Sequence, residues 1–278
     1  MLTKNCLVCK EKFNHFKSHP QIYCSFPCYL KWRSNNQDNT IKKEIKPSFE
    51  LGYFIGATLG DGTISYNINQ GNYKILLRVK DKDFRDYYIK VAKTFYSYHI
   101  KIFEIKEKGC SIRYSCSLHS KSLCSFIKNY NLKKMNKKMI CGFLKGFFDA
   151  EGSADFYNKN NLRRIIRQIR FSQKDLKVIK FISNLLLKFN IKNTISYKIG
   201  SGFKKYETYY YIVICGKDNL KLFYKYIGFA IKRKQKRLKE MIRSYKPIKC
   251  QRCGNYEERR GSVHKYCKKC SKIIYPWK

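Results

Sequence analysis

The stretch FIGATLGDGTIS (54–65) returns ninety residues later as LKGFFDAEGSAD (144–155). Each copy is an apolar run with small residues spaced along it, ending on an acid and a glycine: Asp61–Gly62, then Glu151–Gly152. The flanks repeat too, since KDFRDYYIKVAKTFYSYHIK (82–101) parallels KDLKVIKFISNLLLKFNIK (174–192). Solenoid repeats run about 20–50 residues, so a period near 90 makes each copy a half-domain.

Between these anchors lie strand-like segments. KILLRVK (74–80) sets Ile75, Leu77 and Val79 against Lys74, Leu76, Arg78 and Lys80, the period-2 pattern of a half-buried strand. SIRYSCSLH (111–119) sets Ile112, Tyr114, Cys116 and Leu118 against Arg113, Ser115, Ser117 and His119. In the second copy, TISYKI (194–199) opposes Ile195, Tyr197 and Ile199 to Thr194, Ser196 and Lys198. RRIIRQIRFS (163–172) alternates less cleanly; aligned through the shared Lys-Asp pair, it exposes Gln168, Arg170 and Ser172. With helical stretches at 83–98 and 175–189, each copy reads α-β-β-α-β-β-α. The expected fold is α+β: two pseudo-symmetric repeats with antiparallel sheets whose open faces are basic and polar. Such faces suit phosphates and base edges.

The repeated phrase itself predicts two helices. Ser48 after Pro47 caps one running to about Leu59; the other spans about Met139 to Ala150. Gly56 and Gly60 share a face of the first, as Gly146 and Ala150 do of the second. Small residues let two backbones approach closely, so these helices pack along a pseudo-twofold axis and bring Asp61 and Glu151 side by side. Gly62 and Gly152 are expected at the positive φ of a helix stop. Two carboxylates at helix C-termini repel each other and the helix dipole. A hard divalent cation, Mg²⁺ (or Mn²⁺), would offset that repulsion and equip the site for phosphodiester hydrolysis.

The bulk composition agrees. The 278 residues carry 60 Lys and Arg against 19 Asp and Glu, a formal net charge of +41. A polyanionic partner, nucleic acid, is implied. No apolar run is long enough to span a membrane, and the N-terminus MLTKNCLVCK has no secretory signature. The chain is therefore expected inside a reducing compartment with its nucleic acid, with no membrane partner.

Eight of the thirteen cysteines form two quartets. Cys6, Cys9, Cys24 and Cys28 read C-x2-C-x14-C-x3-C, with His15 and His19 between the halves as competing ligands. Cys250, Cys253, Cys267 and Cys270 read C-x2-C-x13-C-x2-C. Both spacings fit a structural Zn²⁺ with four thiolates. Cys110, Cys116, Cys124, Cys141 and Cys215 read as core filler. The expected organisation is an N-terminal zinc module (1–40), two repeats (48–138 and 139–245) and a C-terminal zinc ribbon (246–278).

FIGATLGDG and LKGFFDAEG resemble the two motifs of a double-motif LAGLIDADG homing endonuclease over residues 48–245. The resemblance implies saddle-shaped sheets reading a long double-stranded DNA target in the major groove, and cutting of both strands across the minor groove. It implies an intron- or intein-encoded, site-specific enzyme; the fused repeats imply a monomer, and no splicing block flanks the core. Its metal ligands map to Asp61 and Glu151, while Asp149 fills an earlier acidic position that the first copy replaces with Leu59, so that acid reads as dispensable. The family also places a lysine near the scissile phosphate. In IGFAIKRKQKRL (227–238) that is Lys234; in NLKKMNKK (131–138) it is Lys133 or Lys134. A non-cleaving binder on the same scaffold, an intron RNA maturase or a DNA-binding regulator, is the alternative.

Overall fold

The computed structural model describes residues 2–15, 21–37, 45–67, 72–106, 109, 111–159, 164–200, 207–245, 247–258 and 265–276. His19, Cys110 and part of the interdomain stretch 34–47 lie outside them.

A hairpin of β1 (Leu2–Asn5) and β2 (Lys12–His15) precedes α1 (Phe26–Gln37). The first repeat runs α2 (Phe49–Asp61), β3 (Gly62–Asn67), β4 (Asn72–Val79), α3 (Lys82–Ala92), β5 (Lys101–Ile105), β6 (Arg113–His119), α4 (Lys121–Lys128). A short 3-10 turn, Leu132–Lys134, leads into the second repeat: α5 (Lys137–Glu151), β7 (Ser153–Lys159), β8 (Arg164–Gln173), α6 (Leu176–Leu187), β9 (Thr194–Ile199), β10 (Thr208–Cys215), α7 (Lys217–Tyr226). Helix α8 (Lys232–Arg243) follows, then β11 (Pro247–Lys249), β12 (Tyr256–Glu258) and α9 (Lys268–Ile274). The two four-stranded antiparallel sheets have the same order, β3-β4-β6-β5 and β7-β8-β10-β9. This is the doubled α+β unit that the repeat predicted.

Helices α2 and α5 begin alike. The Leu51 amide donates to Ser48 Oγ (3.1 Å), and the Met139 amide donates to Asn136 Oδ1 (2.9 Å). They then pack backbone to backbone. A Cβ on Gly56 would collide with the Phe143 carbonyl, and one on Gly146 would lie 2.8 Å from the Ala57 nitrogen. The ladder continues one turn further back, where Gly52 faces Met139 and Phe143, and Gly142 faces Phe49 and Tyr53. At its far end a Cβ on Gly60 would collide with that of Ala150.

The cores interlock across this seam. Leu51 and Ile55 of α2 join the second repeat's core with Phe143, Phe148 and Phe171. Tyr53, Phe54 and Ala57, on the other side of α2, join the first repeat's core with Tyr88, Phe84 and Leu77. Neither half buries its motif helix without the other.

The terminating glycines differ from expectation. Gly62 (φ −83°) and Gly152 (φ −81°) are extended, because each chain passes straight from helix into strand. Their need for hydrogen is steric: a Cβ would lie 2.5 Å from the Thr58 carbonyl oxygen at Gly62, and 2.6 Å from that of Phe148 at Gly152. Cys116 and Cys124 are buried, as expected of core filler, whereas Cys215 is exposed at the end of β10.

Candidate active site and nucleic-acid interface

Asp61 and Glu151 are the last residues of α2 and α5. The backbones there are so close that a Cβ on Gly60 would touch Glu151 Cγ at 3.4 Å. Burial raises the pKa of Asp61, opposed by Lys234 and reinforced by Asp81. Burial also raises that of Glu151, helped by repulsion from Asp61 and opposed by Lys234. The two acids thus feel each other's charge at the negative ends of two helix dipoles. That crowding of hard oxygen donors is what a divalent cation would relieve.

The structure adds Gln173, which the sequence reading passed over. Its Nε2 donates to Glu151 Oε1 at 3.3 Å. The Lys-Asp alignment places Asp81 at its equivalent in the first repeat. Asp81 instead accepts from Arg233 Nε and Nη2 at 2.6 and 2.7 Å, and that pairing lowers its pKa.

Lys234 is 7% exposed, and its Nζ donates to the carbonyls of Asp149 (2.5 Å) and Phe148 (3.3 Å), near the end of α5. Burial lowers its pKa, while Asp149 and other acids pull it back up. Lys133 and Lys134, by contrast, sit just before α5. The 15 residues of that helix put them about 22 Å from Glu151. The alternative lysines of the first repeat are therefore away from the acid pair, because the first repeat's chain must return to the far end of α5.

Asp149 has a structural task. Its carboxylate is 1% exposed and accepts from Tyr53 Oη (2.9 Å), the Ala230 amide (3.0 Å) and the Ile231 amide (3.3 Å). It ties α5 to α2 and to the residues that launch α8. Asp83 joins from the first repeat, accepting from the Lys232 amide at 2.6 Å. Burial pushes the Asp149 pKa up to about 6, against these hydrogen bonds and Lys145.

A raised carboxyl pKa means that the folded chain holds more protons than the unfolded chain between about pH 4 and 6. This group's contribution therefore makes the protein less stable as pH rises through that window, then levels off. Against Asp149→Asn, which does not titrate, the wild type should gain relative stability on acidification from pH 7 to 4. The gain is up to about 3 kcal/mol, read as the difference between the two melting curves against pH.

A family model described as a LAGLIDADG-like domain matches residues 138–228. An uncharacterized protein of Methanocaldococcus jannaschii, MJ0398, is 32% identical over 229 residues, covering 77% of this chain and 80% of that protein. The homing endonuclease I-ApeI of Aeropyrum pernix is 26% identical over 213 residues, covering 70% of this chain and 87% of its own. The chain belongs to the LAGLIDADG homing endonuclease family. Its fold agrees: the crystal structure of I-DmoI in complex with DNA and Ca superposes with a TM-score of 0.51 at 19% identity, over 70% of this chain and all of that one.

In this LAGLIDADG protein the predicted sheet residues share faces as the alternation demanded. Cross-strand pairs Ser65–Lys74, Arg78–Ser115 and Leu76–Ser117 align one open face, which also carries Arg113 and, just past β4, Lys80. Pairs Val213–Arg170, Tyr211–Ser172, Cys215–Gln168, Val213–Thr194, Tyr211–Ser196 and Tyr209–Lys198 align the other. Ser115 and Ser117 lie on the expected face but are 0% and 2% exposed. They occupy a central strand, where Arg78, Phe103 and Lys101 opposite them stand taller. Phe103, Lys101, Ser65, Tyr209 and Tyr211 are face residues that the sequence reading did not single out.

Each cysteine quartet gathers its four sulfurs within 4.8 Å of one another. Neighbouring Sγ atoms stand 3.4 Å (Cys9–Cys24), 3.5 Å (Cys24–Cys28) and 3.7 Å (Cys253–Cys267) apart. Thiolates bound tetrahedrally to zinc at about 2.3 Å are roughly 3.8 Å apart, so both clusters fit that ion. No helix among the described residues is long and apolar enough to cross a membrane.

Proposed function

We propose that this chain is a site-specific double-strand DNA endonuclease, encoded within an intron, that hydrolyses phosphodiester bonds as a monomer with Mg²⁺ or Mn²⁺. The observation that carries this reading is the acid pair at the joined ends of α2 and α5, between two basic sheet faces. Both acids come from one chain, so no second copy is needed to complete the centre. A divalent cation there would polarise the phosphodiester and lower the pKa of an attacking water. Asp61 and Glu151 would hold it through carboxylate oxygens. Gln173 orients Glu151 by its hydrogen bond. Lys234 supplies fixed positive charge where the pentavalent phosphate gathers negative charge. The sheet residues Lys74, Arg78, Lys80, Arg113, Gln168, Arg170, Ser172, Thr194, Ser196 and Lys198 contact the duplex, and Ser115 and Ser117 contribute only if their taller neighbours swing aside.

The test is a plasmid carrying the gene's flanking sequences joined without the insertion, incubated with the protein and Mg²⁺. One specific double-strand cut supports the reading. Tight, salt-sensitive binding without a cut would replace it with a non-cleaving binder, a maturase or a regulator.

The two cysteine clusters are proposed as structural Zn²⁺ sites. Elemental analysis should find two zinc ions per purified chain, and one in a Cys253→Ser/Cys270→Ser variant. Loss of that zinc should unfold the C-terminal module, since a module this small lacks a core of its own, and expose it to protease while residues 48–245 stay resistant.

A further inference from the structure

Beside the acid pair the surface opens into a cleft of about 280 Å³, lined by Gly152, Ser153, Asp155, Arg233, Lys234 and Arg237. With Ala150 and Ala154 the lining comes to eight residues, of which three are cationic. Arg233 and Arg237 are four residues apart on α8, so they share one face. Asp155 is the one acid, and it is already engaged by Gln168 Nε2 (3.1 Å) and Arg170 Nε (3.5 Å). Arg237 Nη1 reaches the Ala154 carbonyl at 3.4 Å, which sets its guanidinium over the start of β7. Arg233 is anchored across the repeat boundary on Asp81. The cleft adjoins Glu151 directly, through Ala150 and Gly152.

The first repeat has no counterpart. Among the described residues its chain runs after α4 through the 3-10 turn at 132–134 straight into α5, so the first repeat contributes no helix equivalent to α8. Among the described residues, these helix-borne cations are therefore supplied by the second repeat alone.

We propose that the cleft between α8 and the start of β7 is a phosphate clamp, in which Arg233 and Arg237 grip the DNA backbone beside the Glu151 half of the centre and make the grip on the duplex one-sided. This rests on the reading of the chain as a duplex-DNA enzyme. Guanidinium groups pair phosphate oxygens through two parallel N–H bonds, and a phosphate held there would fix one strand next to the acid pair. The base sequence of the target plays no part in such a contact.

The test needs no target sequence. Binding of the zinc-loaded chain to a 40-base-pair duplex of arbitrary sequence is measured against KCl concentration without added Mg²⁺, so that nothing is cut. Each phosphate contact contributes about 0.9 to the slope of log K against log salt. The Arg233→Ala/Arg237→Ala variant should lose roughly 1.8 from that slope, and Arg237→Ala alone, which leaves the Asp81 pair intact, about half as much. Lys180→Ala/Lys188→Ala, which removes the same charge from α6 and the residue that caps it, should change it far less. Equal changes in the α6 and α8 variants would reduce the effect to net charge and overturn the clamp, as would an unchanged slope in Arg237→Ala. A wild type that does not bind the duplex at all would instead overturn the DNA reading on which the clamp depends.

Discussion

Asp61→Asn and Glu151→Gln should each abolish double-strand cleavage while leaving DNA affinity intact or slightly higher. Each substitution keeps the side chain's shape and removes one negative charge from the ends of α2 and α5. Removing a single preorganised charge-stabilising group typically costs on the order of 10²–10³ in rate. Loss of a cation ligand should reach at least that, and the double variant should be inert. Neither acid lies on a sheet face, so the contacts that hold the duplex survive, and one fewer carboxylate faces the phosphates. The same acids set a pH dependence. Both have pKa values raised by burial, and Glu151 further by Asp61. Raised values mean that protonation sets in at a higher pH than for free carboxyls, so activity should fall on acidification sooner than free carboxyls would make it, and recover as both groups ionise. Rates against pH, with DNA binding measured alongside, check both statements.

The second large effect is on folding. Gly142→Ala or Gly146→Ala should leave the chain largely unfolded or molten. At Gly142 a Cβ would run into the Phe49 carbonyl and lie 2.9 Å from the Tyr53 nitrogen, backbone atoms of a helix that cannot step aside. The two helices would have to separate, and both cores share that seam through Leu51, Ile55, Tyr53 and Phe54. Overpacking of this kind costs about 1–3 kcal/mol where neighbours can shift, and more against backbone. The total stability of a domain is only about 5–15 kcal/mol. Gly60→Ala meets a methyl group, Ala150 Cβ, at a helix end, so it should be milder. Gly109→Ala has nothing within 4 Å and only a positive φ of 78° to strain, a cost of about 1 kcal/mol. Denaturant midpoints for the four variants should rank in that order.

Much of this was legible in the sequence because it is written twice. The repeated phrase located the helix pair, its small-residue face and its two acids. The alternation in KILLRVK and TISYKI assigned faces that the sheet registers bear out. What escaped was whatever depends on the heights and partners of neighbours. Period 2 says which way Ser115 points, but not that Arg78 and Phe103 shade it. A glycine after a helix suggests positive φ; at Gly62 and Gly152 the demand was for space instead. Asp149 looked dispensable because the first repeat has Leu59 in its place. Its partners, the amides of Ala230 and Ile231, are eighty residues away and occur once, since only the second repeat continues into α8. The same asymmetry misled the search for a second lysine at 133 or 134.

The central claim is that Asp61 and Glu151 together hold a divalent cation. Its most direct test is Mn²⁺ titration of the zinc-loaded chain on the joined-flank duplex, followed by electron paramagnetic resonance of free Mn²⁺. The wild type should take up Mn²⁺ tightly, and Asp61→Asn/Glu151→Gln should lose that uptake while remaining bound to the DNA. Equal uptake by both proteins would contradict the account and place the cation, and the chemistry, elsewhere.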